Sequence, residues 1–195
     1  MANQLQLKKE QFITALRETN RRGMDDLINY LENQTDFFTA PASASNHGAY
    51  EGGLLIHSLE VYKYLQNFTK PISDEVPADS IAIAALLHDL CKANFYAKRL
   101  KNVKDPVTRQ WREEEVYVIE DSFPMGHGEK SAFLAQKYID LTDDEALAIR
   151  WHMGGFDDSA RQYAGSKALA LTYDKCKLAV ALSIADLYVA QIVGA

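Results

Sequence analysis

The sequence has little cysteine, no block of basic residues and no long apolar run. Only Cys91 and Cys176 are cysteines, and neither belongs to a CxxC pattern, which argues against a disulfide framework or a zinc knuckle. The formal net charge is -6 and there is no basic stripe, which argues against an extended nucleic-acid surface. A small anionic substrate is still compatible with this charge, because bound metal cations would supply positive charge locally.

Membrane attachment and secretion are not expected either. No apolar run is long enough to cross a bilayer, and the opening MANQLQLKKEQF contains no apolar segment of the kind found in signal peptides. The composition, 47% hydrophobic and 25% charged, is typical of a globular protein. We therefore expect a cytoplasmic location and no membrane partner.

The length favours a single domain over residues 1–195, because a chain of this size buries about 70% of its unfolded surface. Within it we expect N-terminal helices in residues 1–38 and a metal-binding helical core over residues 40–192. No repeat or flexible linker interrupts the sequence. The N-terminal helices offer a surface for homo-oligomer formation.

Hydrophobic spacing predicts an all-α fold. Residues 81–92 (IAIAALLHDLCK) are apolar on every face, which indicates a central helix, and Asp79 or Ser80 is its predicted N-cap. Between about residues 94 and 121 the spacing changes to alternation around a Lys-Asp-Pro turn, which predicts an inserted β-hairpin. Further helices are expected near residues 12–16, 24–31, 54–65, 128–138, 143–151 and 174–192.

Two carboxylates occupy unusual positions. Asp89 ends the apolar run of the predicted central helix, and Asp186 lies inside a second apolar helix that we expect to be central. An ionised carboxylate in such surroundings costs several kcal/mol unless a cation or several donors compensate. No Lys or Arg closely flanks Asp186, so a shared metal ion is the simpler explanation.

Four of the five histidines also lie in or beside apolar segments. A single histidine of this kind is more often a satisfied core residue than a ligand, and Asp89 alone could cap a helix or face solvent. The set as a whole carries the inference. Imidazole and carboxylate together suit Mn, Fe, Zn, Ni or Co better than calcium, and such a metal would activate water for attack on a phosphoryl group.

The order of these residues resembles that of a known family. His57 in GGLLIHSLEVYKYL, His88-Asp89 in ALLHDLCK and Asp186 in ALSIADLYVA resemble the H…HD…D signature of the HD superfamily of metal-dependent phosphohydrolases. His127 in GHGEKSA and His152 in RWHMGGFD resemble the extra pair of its two-metal branches, and the likeness runs from roughly residue 40 to 190.

The resemblance implies a helical bundle whose ligands project inward and hold one or two divalent metal ions, with magnesium as a further option. It implies hydrolysis of phosphoester bonds, as a phosphomonoesterase or phosphodiesterase, on a nucleotide or similar small phosphorylated molecule. One ion would be bound by four of the residues, and Asp89 would bridge to a second. The implied ligands are His57, His88, Asp89 and Asp186 for the first ion, and Asp89, His127 and His152 for the second.

Other residues are expected to serve the reaction. Lys92 follows Asp89 at i+3 and resembles the Lys of the HDxxK pattern, which approaches the phosphate; a solvated surface lysine is the alternative. We expect Asp89, Lys92 and His127 to take part in catalysis, and Lys92, His47 and Arg150 to bind substrate. His47 could instead satisfy its loop, and Arg150 could form an ordinary salt bridge.

Two other functions fit the same ligands. An HD-type di-iron oxygenase uses the same histidines and carboxylates, although Lys92 fits phosphate chemistry better. A non-catalytic nucleotide-binding module that kept its metal is the third hypothesis, and no motif residue is altered in a way that favours it. The sequence does not distinguish the metal.

Overall fold

The helices predicted from hydrophobic spacing are present in a computed structural model, which describes residues 2–195. That part of the chain also contains one two-stranded sheet, so the predicted helical fold with a small hairpin is confirmed. The elements are α1 (Ala2–Glu18), α2 (Met24–Asn33), α3 (Gly53–Thr69), α4 (Ala78–Leu87), β1 (Tyr96–Lys104), β2 (Trp111–Ile119), α5 (His127–Gln136), α6 (Asp143–Trp151), α7 (Tyr163–Lys175) and α8 (Lys177–Tyr188), with a π-helical turn over Val189–Val193.

Helix α4 occupies the centre of the bundle, as its sequence predicts. Every residue from Ser80 to Leu87 is buried, and the helix packs against α1, α3, α5, α6 and α8. The predicted N-cap is wrong, because Pro77 takes the N-cap position without a side-chain bond. Ser80 Oγ donates instead to Glu145 Oε1 at 2.7 Å, and Asp79 accepts from Arg21.

The end of α4 brings two site residues together. The helix ends at Leu87 rather than continuing to Lys92, and a 3₁₀ turn follows over Leu90–Lys92. His88 keeps helical dihedral angles, whereas Asp89 has φ -104° and ψ 20°, in the sparsely populated bridge region. Both residues therefore lie at the C-terminal end of the central helix.

The predicted insertion is an antiparallel hairpin. Its register runs from the pair Tyr96–Ile119 to the pair Lys104–Trp111, and most of its side chains are exposed. Lys130 of α5 fixes the base, since its Nζ lies 2.6 Å from Asp121 Oδ1 and 5.2 Å from the centre of the Phe95 ring. The base of the hairpin is therefore attached to α5.

Helix α7 was not predicted, because it has no apolar stripe. Of its thirteen residues only Thr172 is buried, so the helix contributes no buried apolar face to the bundle. Gly165 is needed for its approach to the preceding turn, since a Cβ there would lie 1.9 Å from Ser159 O. The helix covers the bundle rather than forming its core.

Helix α8 is less central than its sequence predicts. Its inner face, which includes Leu178, Leu182 and Ala185, is buried. The opposite face is open, with Ile184 53% and Leu187 44% exposed. The expectation that the helix around Asp186 is central is therefore wrong, because one face of α8 is exposed.

Helices α7 and α8 meet at a sharp bend. Cys176, between them, has an extended backbone, and the two helix axes differ by 108°. Within residues 2–195 no single helix combines the length and hydropathy needed to cross a membrane, and only this bent pair reaches them jointly.

The turn between α1 and α2 is tied to the body through Arg21. Its guanidinium donates to Glu145 at 2.7 and 3.0 Å, to Asp79 at 2.9 Å and to the Asp140 carbonyl at 2.7 Å. Glu145 is fully buried, so its charge depends on this partner and on Ser80. The N-terminal helices are thereby joined to α4 and α6.

Replacing Arg21 by Ala should lower the free energy of unfolding by about 3 kcal/mol, because the Glu145 carboxylate would stay buried without its cation. Urea unfolding followed by circular dichroism measures the change. The exposed neighbour provides the control, since Arg22→Ala should change stability by less than about 0.5 kcal/mol. Equal effects of the two substitutions would contradict a structural role for the buried ion pair.

Candidate metal centre

Five segments of the bundle contribute the six predicted ligands. His57 lies on α3, His88 and Asp89 follow α4, His127 begins α5, His152 follows α6, and Asp186 lies on α8. Helix α5 can approach α6 closely because residue 128 is glycine: a Cβ there would lie 2.1 Å from Arg150 O. Four of the six are at most 2% exposed, namely His57, His88, Asp89 and His152.

The first group of donors surrounds Asp89 Oδ2. His57 Nε2 lies 3.1 Å from Asp186 Oδ1 and 3.3 Å from His88 Nε2. Asp89 Oδ2 lies 3.4 Å from His88 Nε2 and 3.6 Å from His57 Nε2. Donor atoms on one ion with bonds of about 2.1 Å are separated by distances of this order.

The second group lies on the other oxygen of the same carboxylate. Asp89 Oδ1 is 2.8 Å from His127 Nε2 and 3.6 Å from His152 Nε2. The two oxygens of Asp89 therefore face two separate pairs of imidazoles. The structure brings all six predicted ligands together in this arrangement.

The outward nitrogens of three histidines fix which nitrogen faces inward. Nδ1–H of His57 donates to Ala195 O at 2.9 Å, that of His88 to Ala85 O at 2.8 Å, and that of His152 to Ile149 O at 2.7 Å. A carbonyl can only accept, so each Nδ1 carries the proton. In its neutral form, each ring then presents the lone pair of Nε2 to the cluster.

The positions of these lone pairs indicate whether the site fits a metal ion. Two Nε2 atoms 3.3 Å apart, both facing carboxylate oxygens, repel one another unless a proton or cation lies between them. Among the buried side-chain nitrogen and oxygen atoms of residues 2–195, His152 Nε2 alone has no hydrogen-bond partner. Such an atom is rare in folded proteins, and a cation would satisfy it. The donor set fits a divalent metal ion.

The two carboxylates of the cluster are held in their ionised form. Burial raises the pKa of Asp89, but the Lys92 ammonium and the His88 imidazole lower it further, so the carboxyl group titrates well below its ordinary range. Asp186 is also lowered, since His57 and His88 outweigh its burial. Burial lowers the pKa of His152, which keeps its Nε2 lone pair available.

A cavity of about 420 Å³ opens above the cluster, within the usual range for ligand pockets. Lys92 lines it and is not a solvated surface lysine, because Nζ lies 2.6 Å from Asp89 Oδ2 and the side chain is 12% exposed. His47 also lines it. The lining residues are Ala42, Ser43, His47, Asp89, Lys92, Tyr96, His127, His152, Met153, Gly155, Phe156, Ser183, Asp186, Leu187, Ala190 and Gln191.

The structure does not bring Arg150 to this cavity. Its guanidinium lies 2.7 Å from Asp157 Oδ2 and 2.9 Å from Ser159 Oγ, and also pairs with Glu129. It stacks on Trp151 with 3.9 Å between the guanidinium carbon and the ring centre. Most of its donors are therefore used to join α6 to α5 and to the turn after α6.

Sequence reasoning missed two residues at the site. Tyr96 lines the cavity, and burial raises its pKa to about 12. Cys91 Sγ lies 3.4 Å from His127 Nδ1 and 3.8 Å from His127 Nε2. Their positions close to the His88-Asp89 pair were the only signal in the sequence, because neither forms part of a recognisable pattern.

Comparison with known proteins agrees with the geometry. A family model described as the HD domain matches residues 54–191, more than half of the chain, and this range contains the six clustered residues. Neither the curated proteins nor the solved structures give a match. The chain therefore belongs to the HD domain family of metal-dependent phosphohydrolases.

Proposed function

We propose that this protein hydrolyses a phosphoester bond of a nucleotide or a similar small phosphorylated molecule, as a phosphomonoesterase or phosphodiesterase. The observation that carries the proposal is the position of Lys92. Its ammonium lies beside the imidazole–carboxylate cluster and also lines the cavity above it. A metal-binding site next to a buried cation is suited to a substrate with several negative charges.

The six clustered residues would hold the metal. His57, His88, Asp89 Oδ2 and Asp186 would bind one ion, and Asp89 Oδ1, His127 and His152 a second. Nitrogen and oxygen donors of this kind suit Mn, Fe, Co, Ni or Zn, while magnesium prefers oxygen donors. When bound, the metal would lower the pKa of water towards neutrality and neutralise charge on the phosphoryl group.

Lys92 would act directly on the phosphate. One of its three N–H groups donates to Asp89 Oδ2, which leaves two donors for non-bridging phosphate oxygens. These donors are held in place by the ion pair with Asp89, so they need little reorganisation as charge develops in the reaction. We propose Lys92 and Asp89 as catalytic residues, with His127 beside them at the mouth of the cavity.

The remainder of the cavity would bind the rest of the substrate. His47 lies next to the first donor group, with its ring centre 5.1 Å from that of His57, and we propose that it contacts substrate. The apolar part of the lining includes Met153, Phe156 and Leu187. Phe156 is 63% exposed, which leaves a ring face open to a base; such stacking is worth about 1–3 kcal/mol.

The same ligands are compatible with an oxygenase or a nucleotide sensor, so the reaction must be tested against both. Hydrolysis consumes water only, and its rate should be the same with and without dioxygen. A rate that falls to zero under nitrogen would favour the oxygenase. Tight nucleotide binding without turnover across mono-, di-, tri- and cyclic phosphates would favour the sensor.

Replacing Asp89 by Asn should remove bound metal and lower the rate of phosphoester hydrolysis by more than about 100-fold, because one change removes a charge shared by both groups of donors. Elemental analysis and a generic phosphoester assay measure the two effects. Asp25→Asn is the control, since that side chain is 86% exposed on α2. Robust turnover by the Asp89 variant would contradict the proposal.

Removing the Lys92 ammonium should weaken phosphate binding without loss of metal. The Lys92→Met variant keeps most of the aliphatic chain, and a charged hydrogen bond is worth about 1.5–3 kcal/mol, so inorganic phosphate should inhibit about 10- to 100-fold less well. Lys130→Met removes another buried, paired lysine outside the cavity and should leave inhibition unchanged. The same inhibition constant in all three proteins would exclude a phosphate contact by Lys92.

Metal binding should also stabilise the fold. At about 100 times the dissociation constant, a ligand adds about 2.7 kcal/mol, which corresponds to a rise in Tm of about 5–10 °C for this chain length. Thermal melts of protein stripped of metal by a chelator, recorded with increasing Mn²⁺, Co²⁺ or Zn²⁺, test this. Asp186→Asn should reduce the rise, and Asp174→Asn, on the exposed side of α7, should not. An unchanged Tm with every ion would count against the metal centre.

A further inference from the structure

We propose that the segment after α8, residues 189–195, positions His57 for the first metal ion, and that Gly194 gives this segment the required path. The inference rests on the metal centre of the proposed function. It goes further because it assigns the orientation of one ligand to a segment that contains no ligand itself. Gly194 and Ala195 would act through His57, so they are positioning residues.

The orientation of His57 depends on a partner that is distant in the sequence. His88 and His152 each donate Nδ1–H to a carbonyl only three residues earlier, at the end of the preceding helix. His57 lies inside α3 instead, and its Nδ1 donates across 138 residues to the main-chain oxygen of Ala195 at 2.9 Å. This imidazole is therefore oriented by a contact with another part of the fold.

The backbone after α8 brings this oxygen to His57. Residues Val189–Val193 form a π-helical turn, and the Gly194 N–H donates to Val189 O at 2.9 Å. Gly194 has φ 79° and ψ 21°, a left-handed conformation that glycine and, less often, asparagine adopt. Ile192 is 70% exposed, whereas Ala195, just after the left-handed residue, is 8% exposed. The left-handed residue thus lets the chain return to the interior.

Ala195 occupies a packed position. The π-helical turn packs against α3, and Val189 within it is fully buried. A Cβ at Gly48 would lie 3.6 Å from the main-chain carbon of Ala195, so the loop before α3 approaches the same residue closely. This loop also contains His47, whose ring centre lies 5.1 Å from that of His57. The oxygen that His57 contacts is therefore held by its surroundings.

Helix α8 and the segment after it contact both nitrogens of one imidazole. Asp186 Oδ1 lies 3.1 Å from His57 Nε2, and Ala195 O lies 2.9 Å from His57 Nδ1. An ion at the first position would bind Nε2, and the Nδ1 bond would then set the direction of the ring. Loss of such an outer contact typically weakens metal binding about 10- to 100-fold. The same segment lines the cavity through Ala190 and Gln191.

Substitution of Gly194 tests the proposal, because a Cβ there meets no atom within 4 Å and changes only the preferred backbone conformation. Gly194→Val should disfavour the left-handed conformation, displace the Ala195 oxygen and weaken Mn²⁺ or Co²⁺ binding by about 10-fold or more. Gly194→Asn should bind nearly as well as the wild type, since asparagine tolerates this conformation. Titration of the full chain, stripped of metal by a chelator, measures both affinities.

Two further measurements complete the test. Arg109→Val is the matched control, because it introduces the same side chain at another left-handed position, φ 61°, in the exposed hairpin turn. Imidazole ¹H–¹⁵N spectra of the metal-free protein report on His57 directly, with its signals assigned by their loss in His57→Gln. The wild type and Gly194→Asn should show a slowly exchanging proton on Nδ1, and Gly194→Val should lose it.

The outcomes separate this inference from the proposed function. Equal metal affinity in the wild type and Gly194→Val would overturn it, and so would an equal loss in Gly194→Asn or Arg109→Val. A wild-type His57 without a protected Nδ1 proton would also overturn it, even if Gly194→Val does not fold. No metal binding by the wild type would remove both proposals. Metal binding that depends on Gly194, without hydrolysis, would support this inference and contradict the proposed function.

Discussion

The burial of the Asp89 carboxylate is the constraint on which the rest of the site depends. The residue follows a helix that is enclosed by five others, and it is 2% exposed. A charge in this position is destabilising unless cations and donors surround it. Lys92 supplies one cation from the next turn, and four imidazoles approach the two carboxylate oxygens from three other segments and from His88. The arrangement of α3, α5 and α6 around the end of α4 is therefore also the arrangement of the site.

The backbone has a second role, which is to orient the imidazoles. Three of them donate Nδ1–H to carbonyl groups, and for His88 and His152 the acceptor lies only three residues earlier, at the end of the preceding helix. The last carbonyls of a helix have no partner within it, so a histidine placed just after the end satisfies one of them. The same bond turns Nε2 towards Asp89. The positions of these histidines at helix ends thus serve both the helix and the cluster.

Much of the fold and of the candidate site could be predicted because the relevant residues contradict their surroundings. Asp89 is conspicuous after seven apolar residues, and the hairpin is conspicuous because its spacing alternates. Helix α7 has no such signal, since only Thr172 is buried. The open face of α8 was not predictable either, because the sequence pattern does not distinguish exposed apolar residues such as Ile184 and Leu187 from buried ones.

Two side chains near the site were not predicted correctly, for a different reason. Arg150 and Cys91 each lie close in sequence to a ligand, but their roles depend on which neighbours reach them. Arg150 is drawn away from the cavity by Asp157 and Ser159 in a turn whose path the sequence does not specify. Cys91 is drawn towards His127 by Ser131, a contact across forty residues. Proximity along the chain therefore predicted the site but not the direction of its side chains.

Local charge explains how an acidic chain can accept a phosphorylated substrate. Asp89, Asp186 and Lys92 together carry a net charge of -1, from two carboxylates and one ammonium group. In this state Lys92 is occupied in neutralising Asp89 Oδ2, the oxygen that also faces His57 and His88. A divalent cation shared by these donors would reverse the sign of the local charge, while Lys92 keeps its ion pair with Asp89 and has two N–H groups left for the phosphate. Under the proposed function, substrate binding would therefore depend on metal binding even though the net charge of the protein stays negative.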